Sequence, residues 1–126
     1  MILVDTNIII DYWKNPSDEY KEFFIDNEVA ICGIVEAELI HGVRNKKQIN
    51  QILSALANFN RIKIDDSLWI DVGTLLFKLK TSGITIPFQD VVLCALALKH
   101  DLTIWSKDNH FNLIRSVIME LKLIQK

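Results

Sequence analysis

Short apolar runs set between helical stretches constrain this chain more than any other feature. Ile2-Leu3-Val4 is an unbroken apolar run of the kind found in strands buried on both faces. Residues 29–32 and 102–105 read the same way. Residues 61–64 alternate polar and apolar, which suits an edge strand, and the tail over 117–123 offers a last strand. Between these lie helices predicted over 8–13, 18–25, 34–43, 46–59, 67–81 and 91–99. Asn15-Pro16 stops the first and Ser17 caps the second. Ile49, Ile52, Leu53 and Leu56 carry helical spacing, Asp66 or Ser67 can cap the long helix, and Gly83 closes it. Residues 91–99 are apolar almost all round, so that helix is expected to be buried on most faces. Strands separated by helices give an α/β domain, with a mainly parallel sheet of four or five strands between helices. The expectation is one domain over residues 1–126.

Composition narrows the class without naming a function. Half the residues are apolar and 24% are charged, the balance of a folded domain. No apolar run is long enough to span a bilayer, and the amino terminus has neither a basic region nor a small-residue cleavage site. Cys32 and Cys94 sit in apolar stretches and read as buried thiols, so a cytoplasmic location follows by elimination. A net charge of −2 argues against a protein that coats nucleic acid, but allows an enzyme that binds it locally.

Ligands of open parallel sheets bind outside the carboxyl ends of the strands. Asp5 ends the first strand, Asp108 lies just past the strand at 102–105, and Asp90 starts the helix before it. Each has an ordinary reading as a helix cap or turn residue. Glu36 and Glu38 are two apart on a helix, so only one of them can face a given site. Gly42, one turn beyond Glu38, is expected to leave room there for a backbone to approach, which favours Glu38. The histidines His41, His100 and His110 are scattered and read as surface or interface residues, leaving no Cys/His cluster for zinc.

The acids fall within four blocks that resemble those of PIN domains. These are Asp5-Thr6-Asn7 after a strand, Glu38-Leu39 followed by Gly42, Gln89-Asp90 before an alanine-containing helix, and Ser106-Lys107-Asp108 with Phe111. They occur in the family's order and span nearly the whole chain, with Ser106 where threonine is common. The resemblance implies a three-layer α/β/α sandwich, an acidic Mg²⁺ or Mn²⁺ site and endoribonuclease activity. The small size looks most like VapC toxins, which dimerise and are silenced by a VapB antitoxin. Asp5, Glu38, Asp90 and Asp108 are then the catalytic set, with Asp5, Asp90 and Asp108 as metal ligands. Thr6, Asn7 and Ser106 would orient the carboxylates, while Arg44, Lys46 and Lys107 are candidate RNA contacts.

Hard divalent cations take oxygen ligands, and such a site supports in-line attack of water on phosphorus. Two carboxylates about 5 Å apart repel by roughly 3 kcal/mol at an effective dielectric of ~20, so mutual repulsion is expected to raise some of their pKa values. Three rivals stand beside this reading. A phosphate-accepting receiver domain would want its acceptor Asp after a middle strand, where none is found. A haloacid-dehalogenase-like phosphatase would need a second Asp where this chain has Asn7. A non-catalytic RNA- or protein-binding module on the same fold would gain nothing from concentrated negative charge.

Overall fold

A computed structural model describes residues 1–124. Five strands, β1 (Ile2–Val4), β2 (Val29–Ile31), β3 (Asn60–Arg61), β4 (Thr103–Trp105) and β5 (Lys122–Leu123), form one sheet in the order β3-β2-β1-β4-β5. Every adjacent pair is parallel. The helices are α1 (Thr6–Lys14), α2 (Asp18–Asp26), α3 (Gly33–His41), α4 (Lys46–Leu56), α5 (Leu68–Thr81), α6 (Phe88–His100) and α7 (His110–Val117).

The chain leaves β1 toward β2 and β3, then returns across the sheet to β4 and β5. With right-handed crossovers, the outward path puts α1 to α4 on one face and the return path puts α5 to α7 on the other. The packing agrees, with α1 on α3, α3 on α4, α5 on α6, and α6 on α7. The result is the expected three-layer sandwich. Its core takes in all of β1, and α6 from Val91 to Ala97 is buried without a break. That run explains why α6 lacks an amphipathic pattern: it faces the sheet on one side and α5 and α7 on others.

Three boundaries depart from the sequence reading. β3 pairs only through Asn60–Arg61, with Ile62 N–H reaching Ile31 O at 2.8 Å, so the edge strand ends sooner than its alternation suggested. Helix α7 was not anticipated, although Phe111, Ile114 and Ile118 carry helical spacing and are all buried. The tail strand survives as β5, confined to Lys122–Leu123. No helix among the described residues is long and apolar enough to cross a membrane.

Two glycines, one inside α5 and one just beyond it, give opposite expectations. Gly83 follows the helix at φ +78°, where its N–H and that of Ile84 close onto Lys80 O and Leu79 O at 3.0 and 2.9 Å. Gly73 lies inside the helix, and a Cβ there would meet nothing within 4 Å. Gly83→Ala is therefore expected to cost about 1 kcal/mol, and Gly73→Ala to gain roughly 0.5–1 kcal/mol, both read from urea melts.

Candidate active site

The reversal of strand order between β1 and β4 opens a crevice at their carboxyl ends. The pairing sets Val4 opposite Trp105, and Asp5 N–H donates to Trp105 O at 2.9 Å. Asp5 and Ser106, about a hundred residues apart in the chain, are thereby brought side by side.

Asp5 has the local role of an N-cap as well as its place in the crevice. It precedes α1 in extended conformation, and its Oδ1 accepts the Thr6 N–H at 2.8 Å. Its Oδ2 accepts the Ser106 hydroxyl at 2.7 Å and, more weakly, the Asn7 amide at 3.3 Å. Ser106 Oγ in turn accepts the Asn7 amide at 3.1 Å and the Asp108 N–H at 3.0 Å. The Asn7 carbonyl takes the Lys107 N–H at 3.0 Å. One serine hydroxyl thus ties the end of β1 to the β4–α7 loop.

Of the two glutamates on α3, Glu38 turns to the site, where its Oε1 accepts the Thr6 hydroxyl at 3.0 Å. Glu36 points away into a bidentate pair with Arg61 at 2.7 and 3.0 Å, which holds its carboxyl below the usual range. Gly42 does not do what the sequence suggested. It ends α3, and a Cβ there would meet only the Leu39 and Glu38 carbonyl oxygens, at 3.7 and 3.9 Å. The choice of Glu38 comes from Thr6 and from the claim of Arg61 on Glu36.

Asp90 lies inside the first turn of α6 and, like Asp5, is only 6% exposed. Its Oδ2 is 2.8 Å from His110 Nδ1, which lies 3.0 Å from Asp108 Oδ1. Asp108 Oδ1 also accepts the His110 backbone N–H at 3.0 Å. His110 therefore sits in the carboxylate cluster, contrary to the surface role expected from sequence. Its contact with Asp90 depends on the packing of α6 against α7, while its place two residues after Asp108 was the one signal available. One ligand atom each from Asp90, Asp108 and His110 lie within 4.8 Å of one another. Asp5 and Glu38 stand outside that tightest group.

The electrostatics correct the expected cause. Asp5 and Asp90 both have raised pKa values, but burial is the largest reason and neighbouring carboxylates add less. For Asp5, the hydrogen bonds from Ser106 and Thr6 work against burial. For Asp90 the opposing contact is His110, whose own pKa is raised by Asp90 first and by the Asp108 charge as well. Asp90, Asp108 and His110 make a donor set of hard oxygens and one nitrogen, with the buried Asp5 carboxylate beside it. Such a set fits a divalent cation, whose charge would offset the cost of burying theirs.

The proposed cationic rim is less available than the sequence suggested. Lys107 Nζ lies 2.6 Å from Asp11 of α1, and Tyr20 also donates to Asp11. Arg44 and Lys46 are exposed at the junction of α3 and α4, and no described contact ties either side chain to the carboxylates. Tyr12 stacks on Phe24 with ring centroids 4.8 Å apart.

A parallel sheet with buried carboxylates at its switch point defines an α/β domain built around an acidic centre. The chain belongs to the PIN-domain family, whose model matches residues 2–116. It is 30% identical to ribonuclease VapC1 of Methanocaldococcus jannaschii over 116 residues, covering 90% of this chain and 81% of that protein. The structure is similar to VapBC2 from Rickettsia felis bound to a promoter DNA fragment, with TM-score 0.82, 25% identity and 98% of each chain covered. VapBC-1 from nontypeable Haemophilus influenzae gives TM-score 0.82 at 24% identity, covering 99% of this chain and 98% of that one.

Burial of Asp90 makes a signed prediction for the protein in chelator. A raised folded-state pKa means that stability is present below the unfolded carboxylate pKa and lost as pH rises through the folded value. His110 works in the same direction, since its raised pKa adds stability at low pH that is lost as the ring deprotonates. Asp90→Asn removes the buried charge, so the variant should melt above wild type by roughly 2–5 °C at about pH 8.5. The gap should narrow as the pH falls through the raised folded-state pKa of Asp90, and scans in EDTA across a falling pH series check it. The same gain is not expected for Asp5→Asn, because an amide would turn a donor toward groups that now donate to Asp5.

Proposed function

We propose that this protein is a metal-dependent endoribonuclease, the toxin of a VapBC-type pair, acting at Asp5, Glu38, Asp90 and Asp108. The observation that carries the reading is the burial of Asp5 and Asp90 at the carboxyl ends of the central strands, with Glu38 and Asp108 joined to them through Thr6 and Ser106. Kinship with ribonuclease VapC1 supports the choice of RNA.

Asp5, Asp90 and Asp108 would hold Mg²⁺ or Mn²⁺, Asp108 directly or through water. The chemistry such an ion supplies is neutralisation of phosphate charge and a lowered pKa for water. Thr6 fixes one oxygen of Glu38, leaving the other to orient the attacking water or to help hold a second ion. Ser106 and Asn7 keep the Asp5 carboxylate from rotating. Arg44 and Lys46 supply exposed positive charge for the RNA backbone, and Lys107 does so once RNA competes with Asp11.

The partners that fit are the RNA substrate, a VapB-like antitoxin and a second copy of the chain. Exposed Trp69, Ile70, Phe77 and Phe88 give α5 and the start of α6 an apolar face suited to self-association. The protein works in the cytoplasm, where the free buried thiols of Cys32 and Cys94 stay reduced. A haloacid-dehalogenase-like phosphatase is disfavoured by Asn7, whose amide and carbonyl are committed to Ser106 and Lys107. A purely RNA-binding module would carry the cost of two buried carboxylates with no return.

Incubation of total RNA with wild type, Asp5→Asn and Asp90→Asn, each with Mn²⁺, Mg²⁺ or EDTA, tests the proposal. Wild type should give discrete fragments only with metal, and each variant should be slower by about a hundredfold or more. Equal cleavage by wild type and variants would remove the assignment of these carboxylates.

A further inference from the structure

We propose that His110 is itself a ligand of the cation held by Asp90 and Asp108, so that an imidazole nitrogen biases the site toward Mn²⁺ and other first-row transition ions over Mg²⁺. This rests on the carboxylate-site reading above and adds a nitrogen to it. The argument begins with spacing. Octahedral ligands about 2.1 Å from an ion lie roughly 3.0 Å from their neighbours and about 4.2 Å from their opposites. His110 Nδ1 is 2.8 Å from Asp90 Oδ2 and 3.0 Å from Asp108 Oδ1. One ligand atom from each of the three residues lies within 4.8 Å of the others. The two His110 distances match those between neighbouring ligands of one ion.

Their supports are firm. Asp90 is buried in the first turn of a helix whose next seven residues are all buried, so its carboxylate has little freedom to turn elsewhere. His110 opens α7, where Asp108 accepts its backbone N–H and the adjacent Phe111, 1% exposed, anchors the helix in the core. The His110 side chain is partly exposed, so water and further ligands could reach an ion bound there.

A hydrogen-bonded imidazole bridging two carboxylates would give the same distances. The two arrangements differ on loading: a bridging ring would be displaced by the ion, whereas a ligating ring would bind it through Nδ1, that proton moving to Nε2 or to solvent. Only the second places nitrogen on the metal. Imidazole suits first-row transition ions, while Mg²⁺ prefers oxygen and keeps its waters, so a nitrogen ligand shifts selectivity between them.

Pulsed electron paramagnetic resonance of the full chain loaded with Mn²⁺ reads the bond without reference to activity. Wild type should show nitrogen modulation from a directly bound imidazole, and His110→Asn should lose it while still binding Mn²⁺. The ratio of Mg²⁺ to Mn²⁺ dissociation constants, from calorimetric competition, should fall about tenfold in the same variant. Mn²⁺ bound in an Asp90-dependent way with no nitrogen modulation in wild type would overturn the His110 assignment and leave the carboxylate site standing. Modulation that persists in His110→Asn would also overturn it. If Asp90→Asn binds Mn²⁺ as tightly as wild type, the carboxylate site fails, and this assignment with it.

Discussion

The pairing of β1 with β4 is the constraint on which the site depends. Both strands are short, and the last bond between them runs from Asp5 N–H to Trp105 O. Beyond it the chains diverge, one into α1 and the other into the loop before α7, and the crevice opens between them. The Ser106 hydroxyl crosses that crevice, donating to Asp5 and accepting from Asn7 and Asp108. A one-residue slip in this pairing would turn each side chain to the opposite face of the sheet and take Ser106 away from Asp5. The buried bulk of Leu3, Val4, Ile104 and Trp105 resists such a slip.

The fold holds two carboxylates in a place where charge is costly, and their environments differ. Asp5 is surrounded by donors that oppose the effect of burial, so its charge is partly stabilised by the protein itself. Asp90 has His110 as its compensating contact, and the charges of Asp5 and Asp108 press against it. The carboxylate charges therefore press together where Asp90, Asp108 and His110 meet, and the cation proposed there would offset them.

An aromatic cluster on the other side of the β4 loop supports this arrangement. Tyr20, Phe23 and Phe24 of α2 pack around Trp105, with ring centroids between 4.1 and 5.8 Å. Tyr20 also donates to Asp11, which holds Lys107. Trp105 and Lys107 flank Ser106, so the cluster holds the loop from both sides of the serine that organises the carboxylates. Lys107, which sequence reading offered to RNA, is engaged in that support.

The sequence by itself determined the α/β class, the order of most strands and helices, and the four acidic blocks. The class was legible because burial on both faces leaves unbroken apolar runs in β1 and α6, and the acids because their four blocks resemble those of PIN domains. Local signals could not decide matters that depend on partners distant in the chain. Glu38 was separated from Glu36 by Thr6 and Arg61, not by Gly42. Lys107 was claimed by Asp11, nearly a hundred residues earlier. His110 was drawn to Asp90 by the packing of α6 on α7, which no local pattern encodes. Periodicity records which face of an element is buried, whereas the neighbours of a polar group, and so its charge state and chemistry, are fixed only when the elements come together.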